Sequence, residues 1–263
     1  MSSTWRVKDK VIVISGGSKG IGLATARVLH ARGARVVIMA RNQVRIDAAV
    51  AELGGGERVF GIAADACSKQ DTQRAFADIV ARWGRIDGLV NNVGFQYARA
   101  LALMPEEEVR SMVDLNFLST VFGCQCVIPI MQKQGEGRIV NISSASVRHD
   151  GEFADIGMYS ACKAAMDRFT HELRYDLKKD GIMVTLFSPG SVATGSIENF
   201  DPEAVASALE KWKERGPLFD GAMEPGVMGE SIAHCFEYPP GVAVEFMEVR
   251  PNIPTPKALE SDW

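Results

Sequence analysis

Tyr159 and Lys163 stand four residues apart in a segment where Met166, Phe169, Leu173 and Leu177 recur at helical spacing. Positions i and i+4 share a helix face, so the lysine ammonium can lie beside the phenol. A free tyrosine titrates at about 10, and a neighbouring cation favours its phenolate, which fits it to pass a proton near neutral pH. The same spacing also arises in an amphipathic helix with an interfacial tyrosine and a surface lysine. Ser144 ends Asn141-Ile142-Ser143-Ser144 at the mouth of the β-rich run Arg138–Ile142. A hydroxyl there can hydrogen-bond a reacting oxygen and steady it against Tyr159. Ser143 and Ser146 are rivals for that part. Asn116, in Asp114-Leu115-Asn116-Phe117, falls inside a helical pattern, where asparagine is a misfit by propensity. His149 and Asp150 follow Ser144 too closely to orient as a relay with it, no nucleophile-elbow sequence is present, and His149 reads as a solvated loop residue.

These residues need a scaffold that sets strand mouths beside helix starts, and the apolar pattern supplies one. Val11–Ile14, Val36–Met39, Val59–Ile62, Gly88–Val90, Arg138–Ile142 and Met183–Phe187 read as strands, with Val242–Phe246 as a last candidate. Helical spacing separates them: Ile21 to Leu29 before Gly33, Ile46 to Leu53 before Gly54, and a helix ending near Trp83-Gly84. Several strands are apolar without alternation, as in a parallel sheet covered on both faces. Repeated β-α-β units predict an α/β fold, a doubly wound, Rossmann-type parallel sheet of about seven strands in a single domain, residues 1–263. Between strand one and helix one lies Ser15-Gly16-Gly17-Ser18-Lys19-Gly20-Ile21-Gly22. Glycines there let the backbone turn sharply and approach a ligand, and the helix start offers N–H groups suited to a pyrophosphate. The spacing is G-x-x-x-G-x-G rather than G-x-G-x-x-G, and many such turns are only tight connections.

Composition excludes several classes. With 29 Lys and Arg against 33 Asp and Glu, the net charge of −4 provides no basic field for a nucleic-acid backbone. The first six residues lack a signal-peptide core, and no stretch reads as the roughly 20 apolar residues that span a bilayer, so no membrane is expected. Five scattered cysteines without a C-x-x-C pair argue against a disulfide framework or structural zinc, and the four histidines form no metal-spaced cluster. A cytoplasmic, reducing location is the expectation.

In order, Ser15 to Gly22, Asp65, Asn91-Asn92-Val93-Gly94, Asn116, Ser144, Tyr159 with Lys163, and Pro189-Gly190-Ser191-Val192-Ala193-Thr194 resemble the short-chain dehydrogenase/reductase family in its classical form. The resemblance covers nearly the whole chain, with Ser15 in place of the usual threonine and Val93 in place of the usual alanine. It implies an oxidoreductase that moves a hydride between a nicotinamide cofactor and a carbonyl or secondary alcohol. It implies Asn116, Ser144, Tyr159 and Lys163 as the catalytic residues: Tyr159 as acid, Lys163 supporting it and holding the nicotinamide ribose, Ser144 holding the substrate oxygen, and Asn116 bending its helix and holding a relay water. It assigns cofactor binding to Gly16, Ser18, Lys19, Gly20, Ile21, Gly22, Arg41, Asp65 (at the adenine), Asn92, Gly94, Tyr159, Lys163, Pro189, Gly190, Val192 and Thr194. The gap from Ser144 to Tyr159 is about two residues longer than is common in the family.

An acid at the end of the second strand would hold the adenosine ribose and repel a 2′-phosphate. Ala40 takes that place, Arg41 follows it, and Lys19 adds a second cation, so NADP(H) is expected over NAD(H). A substrate lid is expected around 195–226, and Phe153, Ile156, Met158, Ile197, Phe200, Trp212 and Phe219 are candidates for an apolar pocket wall around a small, apolar substrate, although the same residues also suit the core. The resemblance further implies a homodimer or homotetramer. The alternatives are a non-catalytic NADPH-binding redox sensor, and an epimerase or lyase on the same fold. The intact tyrosine–lysine pair, at unaltered spacing, speaks against both.

Overall fold

The apolar runs form β1 (Val11–Ser15), β2 (Arg35–Ala40), β3 (Val59–Ala63), β4 (Gly88–Asn91), β5 (Gly137–Ile142), β6 (Ile182–Pro189) and β7 (Phe246–Val249). All pair in parallel in one sheet, in the order β3-β2-β1-β4-β5-β6-β7. The computed structural model describes residues 7–149, 154–194, 207, 210, 211 and 221–252. Helices α1 (Gly20–Ala31), α2 (Gln43–Glu52), α3 (Lys69–Trp83), α4 (Glu106–Val113), α5 (Ser119–Gln134), α6 (Gly157–Leu177) and α7 (Pro225–His234) connect the strands.

The unalternating apolar strands are explained by two cores. Ile12 and Ile14 of β1 pack with Leu29 of α1, Ile46 of α2, Met228 of α7 and Phe236, whereas Val11 and Val13 pack with Phe76 of α3, Val127 of α5 and Leu173 of α6. Successive strand residues point to opposite faces, and here both faces are dry. Each large side chain buried in this way contributes about 1.5–3 kcal/mol.

The strand order reverses direction between β1 and β4, the switch point where open sheets leave a crevice at their carboxyl ends. The register aligns Ser15 with Asn91 and Asn91 with Asn141, so the turns after β1, β4 and β5 leave the sheet at one level.

Three expectations are corrected or bounded. The last strand is Phe246–Val249, not Val242–Phe246. The buried Arg138 guanidinium takes the carbonyls of Tyr238, Pro239 and Val242 in the preceding loop, which removes them from a ladder. Secondly, α4, the turn after it and α5 form one 29-residue helical run, Glu106–Gln134, long and apolar enough by length and composition to cross a bilayer. One third of its most apolar window is buried, so it carries apolar surface beyond the side that faces the sheet. Thirdly, most of the lid expected around 195–226 lies outside the described residues, as do Phe153, Ile197, Phe200, Trp212 and Phe219.

Candidate active site

Tyr159 and Lys163 sit in the first two turns of α6, as their spacing predicts. Lys163 is 3% exposed, its Nζ lies 5.9 Å from the Tyr159 ring centroid, and it donates a 2.7 Å hydrogen bond to the Ile142 carbonyl at the end of β5. Burial pulls the ammonium down to about 8, against the opposing charge of Asp167 and the Cys162 thiol. Burial also pushes the Tyr159 phenol up, and a hydrogen bond with the Ser144 hydroxyl pulls it back. Of these two influences burial prevails, and Ser144 is the one that acts downward on the phenol.

Ser144 follows β5 and caps a short 3₁₀ turn, Ala145–Val147, accepting from the Ser146 N–H at 3.2 Å. The rivals are occupied. The Ser143 hydroxyl donates to Asp167, and the Ser146 hydroxyl donates to Ser144 Oγ at 3.0 Å. Among the three serines, Ser144 is the one whose hydroxyl acts on the phenol.

Asn116 lies in a π-helical turn, Asp114–Leu118, that interrupts the run from α4 to α5 and bends its backbone pattern. It is fully buried. Its Nδ2 donates to the carbonyls of Phe95 (2.6 Å) and Met112 (3.0 Å), and its Oδ1 accepts from the Phe95 N–H at 3.0 Å. The extra residue of a π turn frees a backbone carbonyl, and the Asn116 amide satisfies it, which resolves the propensity misfit. Gly94 joins this residue to Lys163: a Cβ there would lie 3.0 Å from Asn116 Oδ1 and 3.2 Å from Lys163 Nζ. Ser144, Tyr159, Lys163 and Asn116 thus converge, brought in from β5, α6 and the turn between α4 and α5.

A cradle adjoins them. The turn before α1 folds under Asn92, whose Nδ2 donates to the carbonyls of Ser15 (3.2 Å) and Gly16 (3.3 Å). Gly16 has φ +65°, and a Cβ on Gly22 would collide with the Gly16 carbonyl and lie 2.7 Å from Asn92 Nδ2. Gly20 lies against Thr194, so the segment Pro189 to Thr194 closes the same space: a Cβ at Gly20 would be 3.3 Å from Thr194 Cβ. Helix α1 has no side-chain cap and no acid in its first turn, which suits its start to an anion. Lys19 and Arg41 are exposed. Arg41 follows Ala40 at the end of β2, where Asn42 caps α2. Asp65, just past β3, spends one oxygen on the Cys67 N–H at 2.9 Å. The residues present fit a dinucleotide with its pyrophosphate on the α1 turn.

Of the pocket candidates, Ile156 is buried and packs with Ala98 and half-buried Tyr159, while Met158 is half-buried. His149 departs from expectation. It is half-buried, its Nε2 is 2.7 Å from Glu248 of β7, and Arg250 approaches Nδ1 at 2.5 Å. Sequence reading also missed Asp167, for which position i+4 from Lys163 on α6 was an available signal.

Comparison with known proteins gives the family. The family model described as short chain dehydrogenase matches residues 10–204. An uncharacterized oxidoreductase of Staphylococcus aureus (strain USA300) is 30% identical over 243 residues, covering 92% of this chain and 97% of that protein. Among solved structures, a short-chain dehydrogenase from Streptomyces avermitilis is 26% identical, with TM-score 0.78 over 92% of this chain and 89% of that one. A metagenomic short-chain oxidoreductase in complex with NADP gives TM-score 0.77 at 24% identity over 94% and 99%. A 3-ketoacyl-(acyl-carrier-protein) reductase from Brucella melitensis, complexed with NADH, gives 0.80 at 22% identity over 93% and 98%. This chain belongs to the short chain dehydrogenase family and is an oxidoreductase of that family, with the Rossmann-type fold its solved relatives share.

Proposed function

We propose that the protein is an NADP(H)-dependent oxidoreductase acting between a carbonyl and a secondary alcohol on a small, apolar substrate. The observation that carries this reading is the meeting of Ser144, Tyr159, Lys163 and Asn116 at one place, with Gly94 between Asn116 and Lys163, next to a glycine-lined cradle. Gly16, Ser18, Gly20, Ile21 and Gly22 would hold the pyrophosphate, Asp65 the adenine end, and Asn92, Gly94, Pro189, Gly190, Val192 and Thr194 the nicotinamide side. When bound, the dinucleotide supplies or accepts the hydride. Ser144 orients the substrate oxygen through its hydroxyl, and Tyr159 gives that oxygen a proton as negative charge develops on it. Lys163 holds the nicotinamide ribose and supports the tyrosine, and Asn116 holds the water that returns the proton.

Arg41 and Lys19, with Ala40 leaving no acid at the strand end, support NADP(H) over NAD(H). Fluorescence titration tests this. NADPH should bind more tightly than NADH, and Arg41→Ala should weaken NADPH about tenfold to a hundredfold while leaving NADH unchanged. Equal affinities in the unmodified protein would refute the choice. The apolar surface of the Glu106–Gln134 run and the exposed Tyr175 of α6 support a homodimer or homotetramer built on those helices. A monomer by light scattering at micromolar concentration would refute the assembly.

A further inference from the structure

Lys163 lies almost wholly inside the protein, and among the described residues the charges around it are few. On α6 it is flanked by Tyr159, Cys162 and Asp167. From β5 it meets the Ile142 carbonyl, and from the turns beyond β4 and α4 it meets Gly94 and the neutral amide of Asn116. Among the described residues, Asp167 is the one carboxylate in the set of groups that act on its charge. It stands at i+4 from Lys163, on the same face of the helix. It is held from its far side: one oxygen accepts from the Ser143 hydroxyl and the other from Arg148 Nη2 at 2.5 Å, with the Asp167 side chain only 12% exposed. Its two partners bracket Ser144 in sequence. Ser143 precedes it and Arg148 sits four residues beyond it, and the Arg148 guanidinium also lies 4.2 Å over the Phe246 ring of β7. The next residue, His149, is tied to Glu248 on the same strand. The loop that carries Ser144, longer than usual on its way to Tyr159, is therefore fastened to α6 and β7 at its start and middle.

We propose that Asp167 is a positioning residue of this centre: clamped between Ser143 and Arg148, it fastens the end of β5 to α6 on either side of Ser144 and places a fixed negative charge one helical turn from the Lys163 ammonium. A buried ammonium without a counter-charge loses its proton at lower pH, so the carboxylate widens the pH range over which Lys163 is cationic. The burial that pulls Lys163 down and the Asp167 charge that raises it act on it with opposite sign. Asp167 itself is pushed up by burial, and the Ser143 hydrogen bond and Arg148 act downward against that.

The inference rests on the reading that Lys163 holds the nicotinamide ribose, and the test separates the two. NADPH affinity is measured by fluorescence titration from pH 6 to 10. In the parent it should fall as Lys163 loses its charge, and in Lys163→Met that fall should vanish. In Asp167→Asn, which keeps the shape and a hydrogen-bond acceptor, the fall should come about one pH unit lower. In Arg148→Met, which removes the cation opposing Asp167, it should come at higher pH, by roughly half a unit. A fall that persists in Lys163→Met refutes the ribose contact and leaves the charges around Lys163 unread by this assay, which overturns the proposal with it. A fall that vanishes in Lys163→Met but stays at the parent's pH in Asp167→Asn overturns the role of Asp167 alone. If Asp167→Asn does not fold, the surface variant Arg148→Met decides: an upward move supports the proposal, and no move or a downward one overturns it.

Discussion

Lys163→Met should make the free protein more stable at neutral pH. The Lys163 ammonium is 3% exposed, and burial brings it from 10.5 to about 8. A lysine that is easier to deprotonate in the folded chain than in the unfolded one costs stability wherever it is charged. Below about pH 8 that cost is complete. Between about 8 and 10.5 the unfolded state binds more protons, so stability rises with pH. The difference of about 2.5 pH units corresponds to about 3 kcal/mol at about 1.4 kcal/mol per unit. Methionine fills similar space without charge and forfeits the Lys163 hydrogen bond to Ile142, worth about 1 kcal/mol. The net expectation is a gain of about 2 kcal/mol at pH 7, turning into a loss of about 1 kcal/mol near pH 10.5. Urea unfolding of both proteins at fixed concentration at pH 7 and pH 10.5 measures it. The thiols of Cys67, Cys124 and Cys235, each pushed up to about 12, act in the opposite sense above about pH 9, but they are common to both proteins and cancel in the difference. A Lys163→Met protein less stable than its parent at pH 7 would refute the view that this ammonium is retained against stability.

Asn116→Ala leaves the Phe95 N–H and the Phe95 and Met112 carbonyls without their partner, so stability should fall by about 2–4 kcal/mol in the same urea assay. Gly94→Ala brings a methyl to 3.0 Å from Asn116 Oδ1 and 3.2 Å from Lys163 Nζ, and turnover should fall by at least about tenfold in a protein that still melts cooperatively. Gly22→Ala drives a Cβ into the Gly16 carbonyl and should cut NADPH affinity by at least about tenfold in fluorescence titration. Ser144→Ala should lower kcat on the order of tenfold or more while the NADPH Kd stays within about twofold, as stopped-flow binding and steady-state rates would show.

The parallel sheet was legible because β1 to β6 are short apolar runs separated by helical spacing and glycine stops, features set by local periodicity. The last strand was misplaced because Val242 to Val244 look like a strand locally. The Val242 carbonyl is claimed by Arg138, a residue about a hundred positions away that no local pattern connects to it. Tyr159, Lys163 and Asn116 were singled out by resemblance, since i+4 spacing alone also fits an ordinary amphipathic helix and Asn116 alone reads as a surface or cap residue; the π turn and the Phe95 backbone around Asn116 are products of packing. His149 was read as solvated because nothing near it in sequence would pair with it; Glu248 and Arg250 reach it only once β7 lies beside β6. The Gly94 approach to Asn116 and Lys163 is likewise a fact of tertiary placement, although Asn91-Asn92-Val93-Gly94 was singled out by resemblance.

The central claim is that Tyr159 passes the proton while the cradle holds NADPH, and Tyr159→Phe tests it most directly. The substitution removes one oxygen and keeps the ring against Ile156 and Ala98. The measurement is the rate of NADPH oxidation, followed at the nicotinamide absorbance against a panel of uncharged ketones and quinones, paired with the NADPH Kd of the same preparation. The account predicts a Kd within about twofold of the parent and a rate lower by about 10²–10⁴. A Tyr159→Phe protein that binds NADPH and turns over at the parent rate would contradict it.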